Sequence, residues 1–395
     1  MTSTERREAR YQRRQAARAA RREERAQALG RLEDIYSFRR MILAGRKCCN
    51  GVRHKQSTQN FEWHLFSGTA ARRRLVLEGK WKPGKGNHFT LCERGKVRPI
   101  DAPHIRDRQV EKVATDDILI PLYAPEMIYR NGASQKGKGL HWHYKQLKEL
   151  MRRWYRMHGL EGVMVQTDFH GFFPGIPHWA VFQHQQKMIP RADLRLVPER
   201  IVQAVAGAVG MPLGVQPSQQ EMVSLPSPLD NWLLCQRRVY GVGHYMDDYH
   251  GFQDTVEAGR QLVREIIQKA ATYGFEINER KCHVTPLDKA FRFCKVKFQM
   301  LPSGRIITHG CRDGVKHARR KMRLLQERVE QGLMTPQEVW ASIQSHVAYY
   351  ENFNDHGRVL RIKRIFYAIF MKKKGLTWTD ILHPSASGRT ASAAA

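Results

Sequence analysis

Residues 241–252, GVGHYMDDYHGF, set two carboxylates side by side between short runs of strand-forming residues. That juxtaposition limits the folds open to the chain. The flanking pattern reads as strand, turn, strand, so Asp247 and Asp248 stand at the tip of a hairpin. Held there they repel each other unless a cation lies close by. A second adjacent pair, Asp116 and Asp117, sits in RQVEKVATDDILIPLY, which reads as an amphipathic helix with a solvated acidic turn. A third carboxylate, Asp168, ends the apolar run of EGVMVQTDFHGFFPGIPHW and is followed by a tight aromatic and Pro/Gly segment. Two strands of an antiparallel sheet can therefore bring Asp168, Asp247 and Asp248 to one place. Hard oxygen donors of this kind suit Mg²⁺, which prefers one or two carboxylates plus substrate phosphates to a full protein cage. Two ions so held perform phosphoryl transfer, one activating an attacking hydroxyl and one stabilising the leaving group. The same residues also admit a plainer reading, in which Asp168 caps a turn and the hairpin tip is merely polar.

Around these segments, apolar runs such as VMVQTDF and VKFQML alternate with helical stretches such as GRQLVREIIQKAATYGF, the pattern of an α+β body. From about residue 312 the strand signals stop and three or more helices follow, one of them announced by Thr335-Pro336 with Glu338 as an N-cap. The expected divisions are a basic helical arm over 1–40, a mixed body over 41–305, a helical domain over 306–380, and a small, polar, disordered tail over 381–395.

Net charge narrows the partners. The chain carries 67 Lys and Arg against 37 Asp and Glu, a formal +30, and a cationic surface of that size attracts a polyanion. Nucleic acid leads; a ribosome-associated or merely basic protein is the alternative. Seven cysteines without CxxC spacing read as reduced thiols and point to the cytoplasm. No apolar run reaches the roughly 20 residues of a spanning helix, and the charged start is unlike a secretory signal, so no membrane partner is expected. The histidines His141, His143, His178 and His184 lack Cys or carboxylate neighbours at zinc-ligand spacing and read as structural or surface residues.

The YMDD of residues 245–248 resembles the catalytic box of reverse transcriptases, and DFHGFFPGI resembles the aspartate box of their group II intron and bacterial branch. KVRPIDAPHIRDRQVEKV and RNGASQKGKGLHWH, ahead of them, are similar to the family's fingers and template motifs. GFEINERKCHV and FRFCKVKF, behind them, occupy the Asn-x-x-Lys and primer-grip positions. The resemblance spans about residues 90–305, with a weaker helical match as far as about 372. It implies a right-hand polymerase, with fingers and palm on an antiparallel palm sheet and an all-helical thumb.

By that resemblance Asp168, Asp247 and Asp248 bind two Mg²⁺, with Mn²⁺ as the alternative, Asp168 and Asp247 as ligands and Asp248 more an orienting group. Lys281 protonates or neutralises the leaving pyrophosphate. Lys96 and Arg98 grip the incoming triphosphate, Asp107 and Arg108 shape the template surface, and Phe173 lies under the sugar, where its ring excludes a 2′-hydroxyl. The implied partners are an RNA template, a DNA or RNA primer, the cDNA product and deoxynucleoside triphosphates, with a small helical accessory protein by analogy. In GMPLGVQPSQQ, Leu213 stands where the commoner pattern has glutamine, followed by Gly214, Ser218 and Gln219. That form resembles the error-prone enzymes of diversity-generating retroelements; a phage-defence enzyme and a maturase-like RNA-binding protein are the alternatives.

Overall fold

The computed structural model describes residues 2–93, 96–372 and 375–382, apart from the side chains of Thr4, Glu93 and Lys96. Most of the expected tail, from residue 383, lies outside them, while Ile381 and Leu382 end a short helix, Trp378–Leu382. The chain forms two compact units, one of residues 1–147 and 163–284, the other of 148–162 and 285–395.

Among the described residues nine strands fall into three sheets. They are β1 (Asn87–Glu93), β2 (Lys96–Ala102), β3 (Val163–Asp168), β4 (Tyr240–Tyr245), β5 (Asp248–Gln253), β6 (His283–Pro286), β7 (Phe291–Phe293), β8 (Val296–Met300) and β9 (Ile306–His309). β1 and β2 form a two-stranded ribbon, the central sheet runs β4-β5-β3-β6, and the third runs β7-β8-β9. The paired strands β3/β5 and β4/β5 are antiparallel, as expected. The fold is α+β.

In the first unit, every residue of β3 is buried, the polar Gln166, Thr167 and Asp168 as well as the apolar Val163, Met164 and Val165. Helix Val256–Ala271 packs on it with Gly259, Leu262, Ile266 and Ala270 buried at three- and four-residue intervals. Gly259 is a true contact point: a Cβ there would lie 2.6 Å from Val284 and 3.1 Å from Val163. A second core joins Tyr36, Met41, Val110, Leu119 and Tyr123 to Leu194 and Ile201. The basic arm is a helix, Ser3–Ala28, started by a Thr2/Glu5 capping box. Its C-terminal end is tied down: Ala26 is fully buried, Arg191 donates to the carbonyls of Ala26 and Gly30, and Arg22 and Arg25 pair with Glu126.

The Asp116-Asp117 turn differs from expectation. It is a π-helical turn, Ala114–Leu119, inside a longer helical run, and both carboxylates are half-buried. Asp116 takes Lys112 at 2.8 Å and Lys47 at 3.8 Å, while burial, above all, pushes Asp117 up.

In the second unit, helices Asp313–Glu330, Pro336–Glu351 and His356–Phe366 bury one face each around Met322, Trp340, Ile343, Ile362 and Phe366. Thr335 and Glu338 form the capping box that the spacing predicts, with Pro336 at the first helical position. The β7/β8 hairpin turns through Cys294 and Lys295, both with positive φ. None of the seven cysteines forms a disulfide among the described residues. Among the described residues no helix is long and apolar enough to cross a membrane.

Candidate active site

Tyr245 pairs with Asp248, so β4 and β5 are joined by the two residues Met246 and Asp247. Met246 has φ +56°, a conformation that costs a non-glycine residue about 1–3 kcal/mol unless its surroundings impose it. Its side chain packs against the sheet core, which a glycine could not do.

A buried carboxylate holds the hairpin from beneath. Asp230, fully buried, accepts a 2.6 Å hydrogen bond from the Tyr249 hydroxyl and lies 3.1 Å from His244 Nε2. His244 Nδ1 is 3.1 Å from the carbonyl of Met246, so the turn itself is tethered to Asp230 through one imidazole. His244 and Tyr249 are cross-strand partners and stack 4.5 Å apart at 6°. Beside them His143 and His250 approach each other at 2.9 Å between Nε2 atoms, both buried. Sequence reasoning missed Asp230, and PSPLDNW carries no pattern that singles it out. His244 and Tyr249 were findable as the pair just behind the tip.

Asp168 ends β3 opposite Asp248 of β5. Facing residues of an antiparallel pair have Cβ atoms about 5 Å apart. Asp247 adjoins them, and its carbonyl accepts a 3.4 Å bond from the Phe169 N–H. Lys281 completes the group. The Asn278 N–H bonds the Asp168 carbonyl at 2.8 Å, a short turn Glu279–Lys281 follows, and Lys281 Nζ reaches Asp168 Oδ2 at 2.5 Å. Burial works to lower the Lys281 pKa, but the Asp168 hydrogen bond and the charges of Asp168, Asp247 and Asp248 outweigh it and raise it. One ammonium thus feels all three carboxylates. Among the described residues no three His, Cys, Asp or Glu side chains already converge as a metal-holding cluster. The donor set nevertheless fits a hard divalent ion, with the lysine ammonium as its monovalent stand-in. An open carboxylate site also suits Mg²⁺, which keeps waters and substrate oxygens among its ligands.

The other candidate residues are placed as follows. Phe172 is buried and Phe173 half-buried, their rings edge-on at 5.6 Å. Leu213 accepts the Asp101 N–H at 2.8 Å, which ties β2 to the loop before helix Gln216–Ser224. Gly214 has φ +103°, and a Cβ there would lie 3.0 Å from the Asp101 carbonyl oxygen, so only glycine fits. Ser218 is fully buried, whereas exposed Gln219 donates to Ser134 Oγ at 2.8 Å. Arg98 is half-buried on β2; Lys96 begins that strand, but its side chain lies outside the described residues. Arg108, Gly214 and Gln219 meet in a cleft of about 440 Å³ that Lys47, Lys112 and Glu111 also line. Asp107 accepts from the Gly84 N–H at 3.2 Å, and burial pushes it up. His178 and His184 are internal, bonded to the Gly210 carbonyl and to Ser224.

Buried titratable groups make stability pH-dependent in two opposed ways. Burial drives His143 and His184 down to about 3. Below their ordinary value of 6.5, the unfolded chain therefore takes up protons that the folded chain refuses, and stability falls with acid. Burial pushes Glu221 up to about 7 and Glu111 up to about 8. Above 4.5 the unfolded chain releases protons that the folded chain keeps, so stability also falls as pH rises from there to about 8. Urea unfolding should give a maximum between roughly pH 5 and 6.5. In Glu221→Gln the decline on the alkaline side should be shallower; an unchanged slope would refute a neutral Glu221.

A family described as "Reverse transcriptase (RNA-dependent DNA polymerase)" matches residues 82–312. Among curated proteins nothing matches. Among solved structures, telomerase from Candida albicans in complex with a TWJ fragment of telomeric RNA is similar at 9% identity and TM-score 0.46, covering 80% of this chain and 66% of that one. Apo telomerase from Candida tropicalis, truncated from its C-terminal domain, is similar at 12% identity and TM-score 0.40, covering 62% of this chain and 60% of that one. The chain thus spans about two thirds or less of the length of these relatives.

Proposed function

Because this chain belongs to the reverse transcriptase family, we propose that it synthesises DNA on an RNA template from deoxynucleoside triphosphates. The observation that carries this reading is the registered Asp168–Asp248 pair beside Asp247, with the Lys281 ammonium on Asp168. Two Mg²⁺, or Mn²⁺ in their place, would activate the primer 3′-hydroxyl and neutralise charge on the leaving pyrophosphate. Asp168 and Asp247 would hold the ions and Asp248 would orient. Lys281 would give up Asp168 to the ions, leaving its ammonium to serve the pyrophosphate as proton donor or counter-charge. Lys96 and Arg98 grip the triphosphate, Asp107 and Arg108 help shape the template surface, and Leu213, Gly214 and Gln219 join Phe173 in binding the substrate. In this reading residues 41–305 are fingers and palm, 306–380 the thumb, and the setting is cytoplasmic. The net charge of +30 supports a nucleic-acid channel.

The finer assignment is the error-prone enzyme of a diversity-generating retroelement, working with a small helical accessory protein. Leu213 in place of an amide supports it, since an isobutyl group makes no hydrogen bonds to check the nascent pair. Primer extension on RNA and DNA templates with deoxy- and ribonucleotides and Mg²⁺, followed by sequencing, tests both levels. No RNA-templated product sinks the first; errors at adenines no commoner than at other bases sink the second. In the same assay Phe173→Ala should raise ribonucleotide incorporation about 10- to 100-fold relative to deoxynucleotides. An unchanged ratio would show the ring to be packing alone.

A further inference from the structure

Nine arginines stud helix Ser3–Ala28, against four glutamates. With 3.6 residues per turn, Arg7, Arg14, Arg18 and Arg21 fall within about 60° of arc and cover about 21 Å of helix. All four are exposed. Arg22 and Arg25, by contrast, spend their charge on Glu126 and dock the end of the helix. The stripe runs into a groove of about 530 Å³ lined by Arg18, Arg21, Arg25 and Asn231, with Glu24 and Glu126 also on its wall.

We infer that this helix is a second nucleic-acid site, in which the arginine stripe and its groove grip the phosphate backbone of a base-paired RNA segment. The occupant follows from charge and from what the helix lacks. Four exposed guanidiniums in a line complement a polyanion of regular spacing, and planar guanidinium suits phosphate. A membrane-surface helix would need Leu, Phe or Trp opposite its basic face, but Tyr11 is the only apolar side chain here larger than alanine. Recognition is of backbone rather than sequence, because arginines on an exposed helix meet phosphates first. The inference deepens the reverse transcriptase reading by giving the structured part of the RNA its own anchor.

The test uses the full chain with Arg7, Arg14, Arg18 and Arg21 replaced by glutamine, which keeps helix propensity. A labelled blunt RNA stem of roughly 20 base pairs, without an extendable end, is titrated between 50 and 200 mM salt. At about 0.9 of slope per phosphate neutralised, the variant should lose up to about 3.6 from the salt slope and at least tenfold in affinity at 100 mM. Primer extension on a short unstructured template should stay within about twofold. Stem affinity and slope equal to those of the unsubstituted chain overturn the inference, as does a loss confined to phosphatidylserine vesicles. The titration is repeated on Asp247→Asn protein, which separates the two readings: arginine-dependent stem binding stands or falls without catalysis.

Discussion

Asp247→Asn should reduce single-turnover primer extension by about 10³-fold or more, some 4 kcal/mol of transition-state stabilisation, while leaving the fold intact. Both halves follow from position. Asp247 is half-buried in the two-residue turn between β4 and β5, so it adds little to the core. Its carboxylate, with those of Asp168 and Asp248, sets the field felt by Lys281. An amide keeps the shape and removes the charge that, in the proposed reading, would hold a divalent ion. The paired control is Asp116→Asn, the other adjacent aspartate, whose partners Lys47 and Lys112 lie in a helical region. It should change activity by less than about threefold, as befits a partly exposed ion pair. Activity of Asp247→Asn within tenfold of the unsubstituted enzyme would remove the catalytic assignment of the hairpin.

Asp230→Ala should cost about 3 kcal/mol or more in urea unfolding and also lower activity well below the unfolding transition. The substitution strands two buried groups at once, the Tyr249 hydroxyl and the His244 ring. It also cuts the tether from Asp230 through His244 to the Met246 carbonyl, which holds a strained turn in place. Asp230→Asn, which can still accept from Tyr249, should recover a large part of the stability. A change under 1 kcal/mol for the alanine variant would mean that water or repacking satisfies both groups and that the hairpin needs no support from below.

Much of the body was legible because it depends on neighbours along the chain. Thr335, Pro336 and Glu338 announce a helix start whatever packs on it. VMVQTDF opens on three apolar residues, is rich in strand formers and is bounded by turn residues, which marks it as a strand. GVGHYMDDYHGF closes on itself through two residues, which makes it a hairpin before any tertiary contact forms. The Asp116-Asp117 turn escaped such reasoning: its half-buried state depends on Lys47, from another helix, and on a π-turn that periodicity does not signal. Gly214 was legible as part of a motif, but the reason for glycine, the Asp101 carbonyl oxygen that a Cβ there would approach to 3.0 Å, belongs to a strand over a hundred residues earlier.

The amino-acid order by itself settled the α+β class, the excess of positive charge, and the strand ends that bear Asp168, Asp247 and Asp248. These depend on period, turn chemistry and composition, which act over a few residues. Only the tertiary structure decided that Asp168 faces Asp248, that Lys281 reaches both the charge and the oxygen of Asp168, and that Asp230 underpins the hairpin. Sheet register and the pairing of buried polar groups are satisfied between residues far apart in sequence, and no local pattern encodes which distant partner pays that desolvation cost.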